Sequence, residues 1–65
     1  MNVLAANIET ERICRGYSKQ ELAAKLQITA EAYERYLSGE PIPGKQLLVL
    51  SRLFGRSVDS LLGLK

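Results

Sequence analysis

Residues 18–39, SKQELAAKLQITAEAYERYLSG, constrain this chain more than any other stretch. Ser18 precedes Glu21 by three residues, the spacing of a capping box that starts a helix at Lys19. Leu22, Ala23 and Leu26 then form an apolar stripe. The spacing predicts a helix over Lys19–Leu26. A break at Gln27-Ile28-Thr29 follows. Thr29 is a second cap, and Ala32, Tyr33, Tyr36 and Leu37 recur at helical spacing up to the stop at Gly39. Two short helices joined by about three residues are thus expected to pack on each other, with Ala23 small enough for the backbones to approach.

The flanks carry the same signals. Val3–Cys14 reads as a first helix, with Leu4, Ile8, Ile13 and the stem of Arg12 on its inner side and Gly16 as the stop. Pro41 and Pro43 forbid a helix through EPIPGK. A fourth helix is expected over Lys45–Phe54, with Leu47, Leu50, Leu53 and Phe54 inward and Gly55 ending it. Ser57 caps a last helix over Val58–Leu62, with Asp59 against the positive end of its dipole. No strand signal, repeat or low-complexity run is present.

With 65 residues the expectation is one domain, residues 1–65, with a core so small that a partner chain would help it. One cysteine and no histidine exclude an internal disulfide and a Cys/His zinc site, so no metal or cofactor is expected. Cys14 reads as an ordinary helix residue. The longest apolar run, Leu47–Leu50, is too short to cross a bilayer, and the amino terminus lacks the pattern of a secretion signal. No membrane role is expected, and the cytoplasm is the default location. No nucleophile with a base, no phosphate loop and no metal cluster argues for an enzyme. A net charge of +2 permits nucleic-acid binding without demanding it.

The pair of helices around Gln27 is a helix-turn-helix, which can set its second helix in the major groove. The segments SKQELAAKL, YLSG and GRSVDSLLG, in this order and spacing, resemble the Cro/cI-type helix-turn-helix family, also called Xre, of phage repressors and small bacterial regulators. The match takes in nearly the whole chain. It implies an all-α fold of five helices, λ-repressor-like, with the helix-turn-helix at about residues 19–38. It also implies a homodimer on palindromic double-stranded DNA and control of transcription. By position, Ala30, Glu31 and Arg35 fall where base-reading side chains lie, flanked by Ala32 and Glu34. Lys19, Thr29 and Lys45 fall near phosphates.

The chain departs from the family pattern in four places. Gln27 stands where glycine is common, and a left-handed glutamine there costs roughly 1 kcal/mol. Tyr33 replaces a smaller anchor and is expected in the core. Leu37 replaces a glutamate that usually pairs with the arginine at position 12, so Arg12 either finds a local carboxylate such as Glu9 or Glu34, the favoured outcome, or points to solvent. The reading positions are also poor in donors. Ala30 offers a methyl to thymine and Glu31 an acceptor to cytosine N4, so Arg35 alone suits a bidentate contact to guanine.

Ser18–Gly39 carries Lys19, Lys25 and Arg35 against Glu21, Glu31 and Glu34, and is neutral. An acidic third helix leaves a second use open: a protein-interaction module on the same scaffold, such as an anti-repressor or an antitoxin component, docking a basic or apolar partner. Leu61, Leu62 and Leu64 are the candidates for a dimer surface. Alternatively, Leu61 and Leu62 finish the monomer core.

Overall fold

A computed structural model describes residues 1–64. The helices are α1 (Val3–Cys14), α2 (Lys19–Lys25), α3 (Ala30–Leu37), α4 (Gly44–Phe54) and α5 (Val58–Leu61). Four of the five starts are side-chain caps. Asn2 accepts from Ala5 N–H, Ser18 from Glu21, Thr29 from Ala32 and Ser57 from Ser60. Each satisfies an N–H that has no partner inside its own helix. At Ser18 the expected capping box is complete, since Glu21 Oε1 accepts from the Ser18 N–H at 2.8 Å.

Every helix ends on a left-handed residue: Gly16, Gln27, Gly39, Gly55 and Gly63. Around each, an N–H one residue beyond reaches back five residues: Tyr17 to Arg12 O, Ile28 to Ala23 O, Glu40 to Arg35 O, Arg56 to Ser51 O and Leu64 to Asp59 O. This Schellman bond satisfies a terminal carbonyl and folds the exit chain back onto the last turn. It explains how a 65-residue chain reverses direction so often with connectors this short. Gln27 has φ 58°, so the left-handed turn expected to tax a non-glycine is present.

The core gathers one or more residues from each helix: Ala5 and Ile8, Leu22, Ala23 and Leu26, Tyr33 and Leu37, Leu50 and Phe54, and Leu61. Tyr33 is 1% exposed, as its core assignment requires, and Tyr36 is half-buried. Ile13 corrects the reading of α1, because it is 64% exposed. At 3.6 residues per turn it lies about 140° round the helix from Ile8. Ala5 takes the inward place instead. At the carboxyl end the two readings divide by residue. Leu61 is fully buried, whereas Leu62 and Leu64 are 37% and 69% exposed.

Helix α2 packs on α3, α1 on α3 and α5, and α4 on α5. The α1–α3 joint is polar at its centre. Arg12 grips Glu9 with Nε to Oε2 at 2.8 Å and Nη2 to Oε1 at 3.0 Å, and its Nη1 donates to Tyr17 O at 2.7 Å. The Tyr33 hydroxyl donates to Glu9 Oε2 at 2.6 Å. Arg12 therefore finds the local carboxylate that the substitution at Leu37 called for.

Candidate nucleic-acid interface

The α3 surface follows from which residues the core consumes. Tyr33 and Leu37 face inward, and Glu31, Glu34, Arg35 and Ser38 are left on the outside. They fall at i, i+3, i+4 and i+7, one continuous face of the helix. Ala30 is half-buried at its amino-terminal edge. Thr29 is committed to its cap: its Oγ1 accepts from Ala32 N–H at 3.0 Å. Its hydroxyl proton remains free to donate outward.

Two charges of this face, Glu34 and Arg35, are paired with residues flanking it. Lys19 Nζ lies 2.7 Å from Glu34 Oε1, joining the start of α2 to the middle of α3. Arg35 Nε lies 3.4 Å from Glu40 Oε2. Glu21 is held by the Ser18 backbone N–H, which keeps its carboxyl below the ordinary range. Glu31 is exposed and has no ion pair among the described residues. The acidity of α3 thus reduces to one free carboxylate. Both neighbouring cations are shared with a glutamate in solvent, where such pairs are weak and exchange readily.

A second basic element lies beside the turn. Pro43 begins α4 without a side-chain cap, and its carbonyl accepts from the Gln46 and Leu47 N–H groups. Among the described residues the N–H groups of Gly44 and Lys45 have no backbone partner, and Lys45 is exposed next to them. Helix dipole, free donors and ammonium all favour an anion there. A groove of about 290 Å³ runs between this helix start and the turn, lined by Lys25, Leu26, Gln27, Lys45, Gln46 and Val49.

Gln46 fixes the spacing of the two elements. It accepts the Tyr36 hydroxyl proton through Oε1, and its Nε2 lies 3.5 Å from Leu26 O. Sequence reasoning passed over Gln46, and its position two residues into a proline-started helix was the available signal. It also passed over Glu40, although the stop at Gly39 makes residue 40 the neighbour of residue 35.

The structure therefore brings Thr29, Ala30, Glu31 and Arg35 together on one helix, with Lys19 tied to the same surface through Glu34. Lys45 stands on a separate helix start across the turn. Two helices crossing at a left-handed turn, with the second one's outer face open, define a helix-turn-helix protein. A helix-turn-helix family model matches residues 8–61, and the chain belongs to the Cro/cI-type (Xre) helix-turn-helix family of DNA-binding transcriptional regulators. No curated protein and no solved structure matches it. Among the described residues no helix is long and apolar enough to cross a membrane.

Proposed function

We propose that this chain is a sequence-specific transcriptional regulator that binds a palindromic operator as a homodimer. The outer face of α3 enters the major groove. Arg35 is its principal base reader, toward guanine, with the Ala30 methyl against a thymine methyl and Glu31 accepting from cytosine or rejecting wrong sites. Lys19, Thr29 and Lys45 hold phosphates on either side. The observation that carries this reading is the open face of α3, whose cations are engaged only in exposed, exchangeable pairs.

Dimerisation has a geometric argument. The longest extent of the chain is 29 Å. Successive major grooves on one side of a duplex lie roughly 34 Å apart. Reading two half-sites therefore takes two copies, each with its own α3. Leu61 is consumed by the core, so the contact falls to Leu62 and Leu64, with Val3 beside Gly63. Sedimentation at high micromolar concentration tests this surface, and a monomer throughout contradicts dimerisation without DNA.

A second reading has its own observation. Glu31 is exposed and has no ion pair among the described residues, on the face that would meet phosphates, and the Ser18–Gly39 unit has no net charge. On this reading α3 docks a basic protein surface, as an anti-repressor or antitoxin component would. A stable protein partner in a pull-down, with no DNA retention at about 50 mM salt, selects this reading over the first.

A further inference from the structure

We infer that Glu40 is a positioning residue for base reading: its carboxylate lies on the Nε side of the Arg35 guanidinium, 3.4 Å away, and leaves the two Nη groups without a hydrogen-bond partner among the described residues. This deepens the proposed function and rests on Arg35 as the reader. The inference starts from the way α3 ends. Gly39 has φ 113°, the Gly39 N–H donates to Tyr36 O, and the Glu40 N–H donates to Arg35 O at 3.1 Å. In this motif the residue after the left-handed glycine lies beside the residue five before it, a contact usually made by two apolar side chains.

Here that place is filled by an ion pair, Arg35 Nε to Glu40 Oε2 at 3.4 Å. The same relation recurs elsewhere in the chain. Arg12 Nη1 reaches Tyr17 O, and Ser51 Oγ donates to Arg56 O, each pair separated by five residues around a left-handed glycine. The proximity of residues 35 and 40 is thus fixed by backbone geometry rather than by chance meeting of two long side chains.

A guanidinium has one Nε–H on its inner side and a pair of Nη groups on its outer side. Guanine is read by two parallel donors to O6 and N7. No guanidinium nitrogen of Arg35 donates a hydrogen bond among the described residues, and the nearest carboxylate lies on the Nε side, so the Nη pair that guanine needs is left open. Restricting the rotamers of a long side chain before binding lowers the entropy lost on binding. The same carboxylate repels phosphates, so Glu40 weakens binding to any duplex while sharpening the choice among duplexes. These opposite effects set it apart from a structural residue and from an ordinary surface charge.

The experiment uses the full chain and the duplex that wild-type protein recovers from a random pool. Affinity is measured for that duplex, for its single-base-pair variants and for an unrelated duplex. Arg35→Ala identifies the base pair that Arg35 reads, as the one whose replacement no longer matters. Glu40→Gln is expected to lower discrimination at that base pair about two- to fivefold, the scale of one exposed ion pair, while binding the unrelated duplex more tightly. Glu40→Lys should extend both changes. The double variant Arg35→Ala with Glu40→Gln should discriminate no worse than Arg35→Ala. Both side chains are more than half exposed, so thermal midpoints should stay near wild type.

If Arg35→Ala loses discrimination and Glu40→Gln does not, Arg35 reads DNA unaided and the inference is overturned. If Arg35→Ala changes nothing, or the pool yields no site, the reading of Arg35 itself falls and takes the inference with it.

Discussion

The Tyr33 hydroxyl donates to Glu9 Oε2 at 2.6 Å, on the same oxygen that Arg12 holds at 2.8 Å. The bond ties α3 to α1 through a carboxylate that belongs to α1. Where the family pattern places a glutamate on the third helix for Arg12, this chain has Leu37. Its glutamate lies one turn back on α1 instead, and the long reach of a tyrosine restores the link between the helices. Two departures that look independent in sequence, Tyr33 and Leu37, are thus parts of one rearrangement. The joint positions α3, and with it every residue of the proposed reading face.

Tyr33→Phe keeps the ring and removes the donor, so it should cost about 1 kcal/mol, the net value of one hydrogen bond. Burial and the neighbouring Glu9 carboxylate push the Tyr33 hydroxyl above its ordinary value of 10.0. The folded form then keeps a proton that the unfolded chain gives up. Stability from this group is complete below about pH 10 and falls as pH rises beyond it. Urea midpoints between pH 9 and 11 should therefore fall less steeply for Tyr33→Phe than for wild type.

Glu9 titrates in the opposite sense. The Arg12 hydrogen bonds, aided by the Tyr33 hydroxyl, outweigh burial and hold its carboxyl below the ordinary 4.5. Its contribution is present above that value and lost as pH falls through the lower, folded one. Glu9→Gln should cost about 2–3 kcal/mol at pH 7, the range for hydrogen bonds to charged groups. The gap from wild type should narrow below pH 4. A gap that stays constant with pH would show that folding leaves the proton affinity of the Glu9 carboxyl unchanged, against the lowered value.

Gln27→Gly should raise stability by about 0.5 kcal/mol, since relief of the left-handed strain exceeds the entropy glycine adds to the unfolded chain. Gln27→Val should lower it by more than 1 kcal/mol, because a branched side chain tolerates φ 58° worse. Gly63 behaves as the reverse case. A Cβ there would sit 2.7 Å from Val3 Cγ1 at φ +79°, so Gly63→Ala should destabilise by about 1–2 kcal/mol. Val3→Ala should recover part of that loss. Thermal melts of the four variants and the double check these orders.

Glu34 governs how freely Lys19 meets a phosphate. The pair at 2.7 Å is exposed on both sides, so removing the carboxylate should leave the fold intact. Glu34→Gln should tighten binding to any duplex severalfold at low salt, and Lys19→Ala should weaken it. If Lys19 contacts phosphate, its removal also flattens the slope of log affinity against log salt by about one. An unchanged slope in Lys19→Ala would remove it from the phosphate contacts.

Much of the fold was legible because helix punctuation is local. Ser18, Glu21, Thr29 and Ser57 act on N–H groups three residues away, and the helix starts at Lys19, Ala30 and Val58 came out where these caps place them. Ile13 was misplaced because a stripe drawn through Ile8 and Ile13 spans five residues, which is not a helical repeat. The site was less legible. Which carboxylate meets Lys19 or Arg35 depends on tertiary approach and helix endings, which composition does not encode. Net neutrality of the Ser18–Gly39 unit is a sum. The structure resolves it into one internal pair, Lys19–Glu34, an Arg35 paired outward with Glu40, a Glu21 held by its cap and a Lys25 over the Tyr17 ring, and among the described residues Glu31 is the carboxylate of α3 without an ion pair.

The central claim is that α3 reads DNA through Arg35. Its most direct test is selection of bound duplexes from a random pool at about 50 mM salt, with wild-type protein and Arg35→Ala in parallel. Wild type should recover a palindrome with half-sites one helical turn apart and a guanine in each. Arg35→Ala should lose preference at that guanine by about 1–3 kcal/mol while keeping weak binding to all duplexes. Recovery of no site by wild type, or of the same site with the same preference by Arg35→Ala, would contradict the account.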